Sequence, residues 1–267
     1  MTRIAVLQMT SGIDPAANAA AIVAGAVAAK AGGAAMLFTP EMCGLVDRDR
    51  ARAAPHVVPE AANPVLAAAR AVAAREGIWV VLGSLAIKGE DRSANRTFVI
   101  DDQGEIRARY DKIHMFDVDL ATGESWRESN AYAPGNQVVT LDTPAGRLGL
   151  AICYDLRFPA LFEALGREKC DLIAIPAAFT VPTGAAHWHI LQRARAIEAS
   201  AYVVAAAQVG AHEDGRATYG HSLVVDPWGE VLLDLGEEAS LGFAEITPAR
   251  IAEIRAQLPS LANRRPI

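Results

Sequence analysis

Three residues have side chains that could together break a carbon–nitrogen bond: Glu41, Lys112 and Cys153. A cysteine attacks as the thiolate, so its thiol needs a neighbouring base. Glu41 could take the thiol proton, pass it to a leaving amine and later deprotonate water. Lys112 could place a positive charge where a carbonyl oxygen becomes an oxyanion, aided by the backbone N–H of Tyr154. The three residue types predict acyl transfer through a cysteine.

Each of these residues also has an ordinary structural interpretation. A glutamate after a proline is often a surface or capping residue, a lysine after a strand is often solvated, and a free cysteine is often packed in the core. A cysteine–histidine pair is a further alternative. The histidines available for it are His114, His187, His189, His212 and His221.

Two of these histidines flank a tryptophan in the segment His187-Trp188-His189. Residues two apart on a helix point to different faces, and the chain has no HExxH pattern. The spacing therefore favours a structural role for the pair, and we expect no metal site.

Cys153 lies at a break in the hydrophobic pattern of residues 147–159, RLGLAICYDLRFP. Leu148, Leu150 and Ile152 alternate with smaller residues, as in a buried strand, and the alternation stops at the cysteine. Pro159 suits the first turn of a helix. We therefore predict a sharp strand-to-helix turn that exposes Cys153 at the rim of a sheet.

The elements on either side alternate between strands and helices. Strands are predicted at 4–9, 36–39, 78–87, 148–152, 172–176, 201–209 and 241–246, and helices at 15–32, 64–76, 185–200 and 248–258. Hairpins are predicted at 97–111 and 221–235, and a long ordered loop at 113–136. This order predicts an α/β fold in a single domain, 1–267, with two packed sheets covered by helices. Glu41, Lys112 and Cys153 follow strands, where ligands collect in such folds.

Composition excludes several partners. The net charge of the 267 residues is −6 with charges of both signs interspersed, which disfavours nucleic-acid binding. The alanine-rich tract at 16–35 is too weakly hydrophobic to span a membrane, and the first residues do not resemble a secretory signal. The chain has three cysteines, an odd number that cannot all pair, so disulfides are not expected. We expect a cytoplasmic protein that binds neither nucleic acid nor membrane.

Five segments carry a resemblance to a known family. They are TPEMCG at 39–44, YDKIHMFDVD at 110–119, GLAICYDLRFP at 149–159, AHWHILQRARAIEASAYVVAAAQ at 186–208 and YGHSLVVDPWGE at 219–230. Together they resemble the Nit branch of the nitrilase superfamily of carbon–nitrogen hydrolases. The resemblance implies a four-layer α-β-β-α sandwich that forms a homodimer or a larger homo-oligomer. It also implies a catalytic triad of Glu41, Lys112 and Cys153, a second active-site glutamate at Glu128, and no metal or organic cofactor.

The resemblance further implies an amidase for a small carboxylate-bearing amide, acting through a cysteine acyl-enzyme with release of ammonia. Deaminated glutathione is the first candidate substrate. Alternatives are an ω-amidase acting on α-ketoglutaramate or α-ketosuccinamate, an N-carbamoyl amino acid hydrolase or nitrilase, and an oligomeric scaffold of the same fold without turnover.

A carboxylate-bearing substrate needs a cation besides Lys112. Arg157 is the candidate for a bidentate carboxylate clamp. The alternative is an ion pair with Asp155 or another acid that braces the turn. Phe179 and Thr183 could line the acyl pocket next to Tyr154, although core packing also accounts for Phe179.

Overall fold

The computed structural model describes residues 1–121, 123 and 125–265. Its strands are β1 (Thr2–Gln8), β2 (Met36–Phe38), β3 (Trp79–Ile87), β4 (Ala94–Ile100), β5 (Ile106–Asp111), β6 (Asp117–Asp119), β7 (Ser125–Arg127), β8 (Thr140–Thr143), β9 (Gly146–Leu150), β10 (Leu172–Ala174), β11 (Tyr202–Ala205), β12 (Val209–Ala211), β13 (Ala217–Tyr219), β14 (Leu223–Val225), β15 (Val231–Asp234) and β16 (Ser240–Ile246). Its α-helices are α1 (Pro15–Ala31), α2 (Arg50–Ala53), α3 (Pro64–Glu76), α4 (Pro159–Arg167), α5 (Val181–Ala199) and α6 (Pro248–Gln257). Short 3₁₀ segments span Ala54–His56, Glu60–Ala62, Glu128–Asn130 and Cys153–Arg157.

The strands form two six-stranded sheets and two small ladders. The first sheet has the order β16-β1-β2-β3-β4-β5, and the second has the order β15-β14-β11-β10-β9-β8. In each sheet the three central strands are parallel, β1-β2-β3 in the first and β9-β10-β11 in the second. The ladders pair β6 with β7 and β12 with β13. Parallel strands place their carboxyl ends at one edge, so each sheet has one edge suited to a site.

Successive side chains of a strand point to opposite faces of its sheet, so they belong to different hydrophobic layers. In β1, Ile4 and Val6 belong to the hydrophobic cluster shared with the second sheet, whereas Ala5 belongs to the cluster that contains Ile22 of α1 and Val72 of α3. A strand buried on both faces must lie between two apolar layers. The first sheet therefore packs against the second sheet on one face and against α1 and α3 on the other.

The second sheet is covered in the same way. Phe162 of α4 and Trp188 of α5 are buried in the cluster that holds Leu150 of β9 and Ile173 of β10. The four layers run helices, sheet, sheet, helices. This confirms the predicted α/β class and the α-β-β-α sandwich.

Local signals set the helix starts. The Asp14 carboxylate accepts a hydrogen bond from the N–H of Ala16 at 2.8 Å, and Pro15 begins α1. Asn63 caps α3 in the same way, with its side-chain oxygen 3.0 Å from the N–H of Leu66. Each cap satisfies N–H groups that the helix itself leaves unpaired.

Several elements differ from the sequence-based expectation by more than a residue or two, or by their type. The 3₁₀ segment Cys153–Arg157 stands between β9 and α4, where a direct turn was expected. Helix α5 begins at Val181 rather than at 185, because the proline after Val181 suits a first turn. The strand expected at 201–209 ends at Ala205, and Val209 begins the separate β12. The predicted loop at 113–136 contains β6 and β7; its residues 122 and 124, like 266 and 267 at the end of the chain, lie outside the described residues.

None of the helices in the described ranges combines the length and the apolar composition that crossing a bilayer requires.

Candidate active site

Cys153 follows β9 in an uncommon backbone conformation. Its φ is +48°, in the left-handed region, which costs a non-glycine residue about 1–3 kcal/mol. Its N–H donates to the carbonyl of Pro176 at 2.9 Å, beyond the end of the neighbouring strand β10. This bond between adjacent strand ends holds the residue in the strained turn. Cys153 lines a cavity there, but only 7% of its surface is exposed, so the expectation of an exposed cysteine is wrong.

Asp155 braces the same turn. Its Oδ2 accepts from the hydroxyl of Tyr110 at 2.7 Å and from the N–H of Ile152 at 2.9 Å. Its Oδ1 accepts from the N–H of His114 at 2.9 Å and lies 2.7 Å from the Nδ1 of the same residue. Both carboxylate oxygens are thus engaged away from Arg157, and the alternative of an Arg157–Asp155 ion pair is wrong.

Glu41 lies just beyond the end of β2 and is buried, with 4% of its surface exposed. Its Oε1 accepts from the Nζ of Lys112 at 2.9 Å, and its Oε2 accepts from the backbone N–H of Ala178 at 2.9 Å. Ala178 follows β10, a strand of the second sheet. The Glu41 carboxylate therefore joins the two sheets at their adjoining edges.

Gly83 of β3 allows the segment before Glu41 to lie close to the neighbouring strand. A Cβ atom at this position would collide with the carbonyl oxygens of Thr39 and Pro40. The N–H of Gly83 donates instead to the Thr39 hydroxyl at 2.9 Å. Because backbone atoms cannot swing aside as a side chain can, only glycine fits here without moving Glu41.

Lys112 follows β5 and is buried between two carboxylates. Its Nζ lies 2.9 Å from Glu41 Oε1 and 2.8 Å from Glu128 Oε2. Burial opposes the charge of the ammonium, but the carboxylates of Glu128 and Glu41 outweigh it and hold the pKa of Lys112 well above its ordinary value. Lys112 is therefore a fixed cation in this structure.

Glu128 reaches the site from the segment that holds β6 and β7. Its Oε2 also accepts from the backbone N–H of Phe116 at 2.7 Å. The rings of Phe116 and Trp126 lie near one another, with centroids 6.3 Å apart. The β6–β7 ladder thus gives this part of the chain the order needed to carry a side chain into a buried cluster.

Asn95 of β4 completes the cluster, and sequence reasoning missed it. Its Nδ2 donates to Oε1 of Glu41 at 2.9 Å and to Oε1 of Glu128 at 3.1 Å. The sequence offers one weak signal, an asparagine at the start of the strand ANRTFVI. An asparagine at this position is equally typical of the beginning of a hairpin. Its role depends on two glutamates distant in the chain.

The thiol of Cys153 is neutral in this environment. Burial raises its pKa, the negative charge of Glu41 raises it further, and the ammonium of Lys112 and the N–H of Ala178 act in the opposite direction. The net result is a pKa well above the ordinary value. A base must therefore remove the proton as the sulfur attacks.

The remaining predicted site residues also line the cavity, whose volume is about 830 Å³. Arg157 lies over the rings of Phe179 and Tyr154, with its guanidinium carbon 5.4 and 5.9 Å from the centroids, and its Nη1 is 3.3 Å from Nδ1 of His187. Phe179 also packs against Trp188 in the core at 4.9 Å between ring centroids. Phe179 therefore packs in the core and also lines the cavity, and its contact with an acyl group stays a prediction.

The hydroxyl of Thr183, another residue of the cavity wall, is 2.8 Å from that of Thr180. Among the described residues, no histidine lines the cavity. The geometry therefore gives no support to a cysteine–histidine pair.

A thiol, a carboxylate and a fixed ammonium line one cavity at the adjoining edges of two sheets, and such a set of groups could carry out acyl transfer through a cysteine. Residues 3–256 match the family described as carbon–nitrogen hydrolase, and the chain belongs to this family. It is thus a hydrolase of carbon–nitrogen bonds other than peptide bonds.

Similar proteins share both sequence and fold. The deaminated glutathione amidase of Yersinia enterocolitica is 40% identical over 266 residues, which cover 98% of this chain and 92% of that protein. The crystal structure of the NitFhit protein of C. elegans superposes with a TM-score of 0.91 at 38% identity, covering 99% of this chain and 65% of that one. Nit3 of Saccharomyces cerevisiae, a member of branch 10 of the nitrilase superfamily, gives a TM-score of 0.87 at 27% identity over 97% of this chain and 94% of that one. These findings confirm the resemblance to the Nit branch.

The electrostatics of Cys153 predict the effect of neutralising Glu41. In Glu41→Gln a negative charge beside the sulfur is lost while Lys112 remains, so the thiolate is favoured and the pKa of the thiol falls. The pH midpoint for alkylation of Cys153 by iodoacetamide, followed by mass spectrometry, should move to lower pH than in the wild-type protein.

Glu128→Gln is the matched control, because Glu128 contacts Lys112 but is not a main cause of the thiol's raised pKa. A midpoint that moves to higher pH in Glu41→Gln, or that moves equally in both variants, would contradict the assignment of Glu41 as the charge that acts on the sulfur.

Proposed function

We propose that the chain hydrolyses a carboxylate-bearing amide through a thioester on Cys153, with deaminated glutathione as the substrate. One observation carries this proposal: Lys112 Nζ lies between Glu41 at 2.9 Å and Glu128 at 2.8 Å, in the wall of the cavity that Cys153 also lines. A nucleophile, a base and a cation converge on one space that could hold an acyl group.

In the first half of the reaction, Glu41 takes the thiol proton while the sulfur of Cys153 bonds to the amide carbon. The carbonyl electron pair moves to oxygen, and Lys112 stabilises the resulting oxyanion together with the backbone N–H of Tyr154. When the tetrahedral intermediate collapses, the carbon–nitrogen bond breaks and Glu41 gives its proton to the leaving amine. A thioester remains on Cys153.

In the second half, Glu41 deprotonates a water molecule, whose oxygen attacks the thioester carbon. The carbon–sulfur bond then breaks, the thiol is protonated again by Glu41, and the acid leaves. In this proposal Glu128 orients Lys112 and the amide nitrogen. The 3.1 Å hydrogen bond from Asn95 to Glu128 holds that carboxylate in a fixed position relative to Glu41, because Asn95 also donates to Glu41.

Cavity size and charge support the larger candidate substrate. A volume of about 830 Å³ lies within the range of sites that enclose drug-sized ligands, so it suits a tripeptide-sized amide better than the much smaller α-ketoglutaramate. Besides Lys112, the lining contains the cations Arg48, Arg50, Lys88, Arg127, Arg157 and Arg216, against the acids Glu41, Asp47 and Glu128. An excess of cations favours an anionic ligand. The name of the Yersinia relative points in the same direction.

This choice of substrate changes the expected leaving group. In deaminated glutathione the nitrogen of the scissile amide belongs to cysteinylglycine, so hydrolysis releases that dipeptide rather than ammonia. Release of ammonia applies only to primary amides such as α-ketoglutaramate. The product therefore separates the two candidate reactions directly.

The deciding experiment measures kcat/KM on deaminated glutathione, α-ketoglutaramate, an N-carbamoyl amino acid and a simple nitrile. We expect the highest value on deaminated glutathione, with cysteinylglycine as the product. Cys153→Ala should fold normally and lose at least about 10⁴-fold in rate, because the nucleophile is removed.

A higher kcat/KM on α-ketoglutaramate would make the chain an ω-amidase without removing the triad. Activity of a folded Cys153→Ala protein close to that of the wild type would exclude Cys153 as the nucleophile. No turnover of any of the four substrates by the wild-type protein would favour the scaffold alternative.

Arg157 is the proposed carboxylate clamp. Among the described residues it has no carboxylate partner within 4.0 Å, and stacking on Phe179 and Tyr154 orients its guanidinium. The planar guanidinium, whose only polar side-chain neighbour within hydrogen-bond distance among the described residues is His187, could pair with a carboxylate bidentately, which the ammonium of lysine cannot do.

Arg157→Lys should raise KM for a carboxylate-bearing amide by about 10- to 100-fold, the loss expected for a charged hydrogen-bond pair. KM for a neutral amide of the same length should change little. Arg48→Lys, an exposed cation of the same cavity, is the matched control. Equal effects of Arg157→Lys on both amides would exclude the clamp.

We also propose that residues 1–267 act as one domain and associate as a homodimer through the outer face of α5 and the β14–β15 hairpin. The site needs both sheets, which supports one domain. Six of the ten exposed large hydrophobic side chains of the described residues belong to this face: Val181, Ile190, Ile197, Trp228, Val231 and Leu232. This concentration of exposed apolar side chains on α5 and the β14–β15 hairpin favours a protein partner.

Sedimentation velocity tests the association. The wild-type protein should sediment as a dimer, and the double variant Ile190→Asp/Trp228→Asp should sediment as a monomer, because burying two carboxylates in the interface is costly. Val138→Asp, at an exposed position away from this face, should leave the dimer intact. A monomeric wild-type protein at micromolar concentration would contradict the proposal.

We also propose that the protein works in a reducing compartment such as the cytoplasm. All three cysteines, Cys43, Cys153 and Cys170, are free and buried. Such a set is typical of a reducing environment, which also protects a reactive thiol from oxidation.

A further inference from the structure

A second cluster of chemically active side chains joins α5 to the edge of the second sheet. Nε2 of His189 lies 2.9 Å from Oδ2 of Asp234, and Nδ1 of His221 lies 2.8 Å from Oδ1 of the same carboxylate. The geometry points to a binding site for a borderline divalent transition metal, of which zinc is the type, formed by His189, His221 and Asp234.

The backbone fixes two of the three ligands. His221 adopts a φ of +53°, its N–H donates to the carbonyl of Gly236 at 2.7 Å, and its own carbonyl accepts from Nε1 of Trp188 at 2.7 Å. Asp234 Oδ1 also accepts from the N–H of Gly236 at 2.9 Å. The ring of Tyr219 stacks on that of His221 at 4.6 Å. A metal would therefore meet ligands already held in place, which lowers the cost of binding.

The separations suit a small metal ion. One ligand atom from each residue lies within 4.8 Å of the other two. Ligand atoms about 2.0–2.1 Å from a tetrahedral zinc are about 3.3 Å apart. The two histidine–aspartate distances are somewhat shorter than this, so an ion entering the cluster would replace these hydrogen bonds with a small outward movement of the rings.

The donor set selects the class of metal. Two imidazole nitrogens and one carboxylate oxygen suit zinc and its neighbours, whereas calcium and magnesium prefer oxygen ligands alone. Oε1 of Glu237 lies 4.0 Å from Nε2 of His221, where a carboxylate could accept the proton of a metal-bound imidazole. The partly exposed position leaves room for water as a fourth ligand.

This site is separate from the catalytic cavity. His189, His221 and Asp234 do not line the cavity that holds Cys153. The helix position of His189, two residues after His187, explains the separation, since His187 faces Arg157 while His189 faces β15. The metal would tie α5 to the last strand of the second sheet, so we assign it a structural role.

Isothermal titration with zinc chloride tests the site in the Cys153→Ala protein, because thiolates themselves bind zinc. We expect one zinc ion per chain. Loss of a residue that only hydrogen-bonds to a metal ligand weakens metal binding by about 10- to 100-fold. Because His189 is proposed as a ligand itself, adding His189→Ala should weaken zinc binding by more than this. Adding His56→Ala, at an exposed histidine elsewhere, should leave the affinity unchanged.

Thermal unfolding gives a second readout that needs no activity. Zinc should raise the unfolding midpoint of Cys153→Ala by mass action, and this shift should vanish in Cys153→Ala/His189→Ala. His189 lies on a partly exposed helix face, so this variant should fold even where His221→Ala does not. Absence of zinc binding, or equal binding with and without His189, would overturn the proposal. If Cys153→Ala/His189→Ala unfolds at a lower temperature than Cys153→Ala, while zinc does not raise the midpoint of Cys153→Ala, the three side chains only hydrogen-bond to one another. That result would also overturn the proposal.

Discussion

The buried ammonium of Lys112 is the interaction on which the rest of the site depends. Two carboxylates flank it, so the cluster carries one excess negative charge away from water. Such a charge is tolerated only where hydrogen-bond donors compensate it. Here the donors are the side-chain amide of Asn95 and the backbone N–H groups of Phe116 and Ala178. Removing Lys112 would leave the buried Glu41 and the partly buried Glu128 without a cation, which is why the cation, the acids and the amide form one unit.

Packing of the two sheets closes this unit. Glu41 and Lys112 follow strands of the first sheet, whereas Cys153 and Ala178 follow strands of the second. Their side chains meet because the four-layer arrangement brings the carboxyl ends of both parallel groups to the same side. The strained turn at Cys153 is held by a bond to Pro176, and the path of Glu41 by the close approach at Gly83. Fold stability and site geometry thus rest on the same contacts.

Sequence patterns could predict the class of fold, most elements and the residues that converge on the cavity, because these follow from local periodicity and from motifs. They could not predict the place of Asn95, whose two partners lie 54 and 33 residues away in the chain. They also could not exclude an Arg157–Asp155 ion pair, because the bonds of Asp155 to Tyr110 and His114 come from a distant strand and loop. The β6–β7 ladder was missed because its three-residue strands are too short for a period to appear.

A site that raises the pKa of its proposed nucleophile, Cys153, requires a physical explanation. If the thiol of Cys153 lost its proton to solvent, a second excess negative charge would enter a cluster that already holds one, and burial makes that unfavourable. If the proton passes instead to Glu41, the total charge of the cluster does not change; the negative charge moves from the carboxylate to the sulfur and then to the oxyanion, with Lys112 within reach throughout. In the proposed mechanism, the same carboxylate that suppresses the free thiolate therefore becomes neutral when attack begins. This couples ionisation of the thiol to the presence of a substrate carbonyl and keeps the resting cysteine protonated, in the form least open to oxidation.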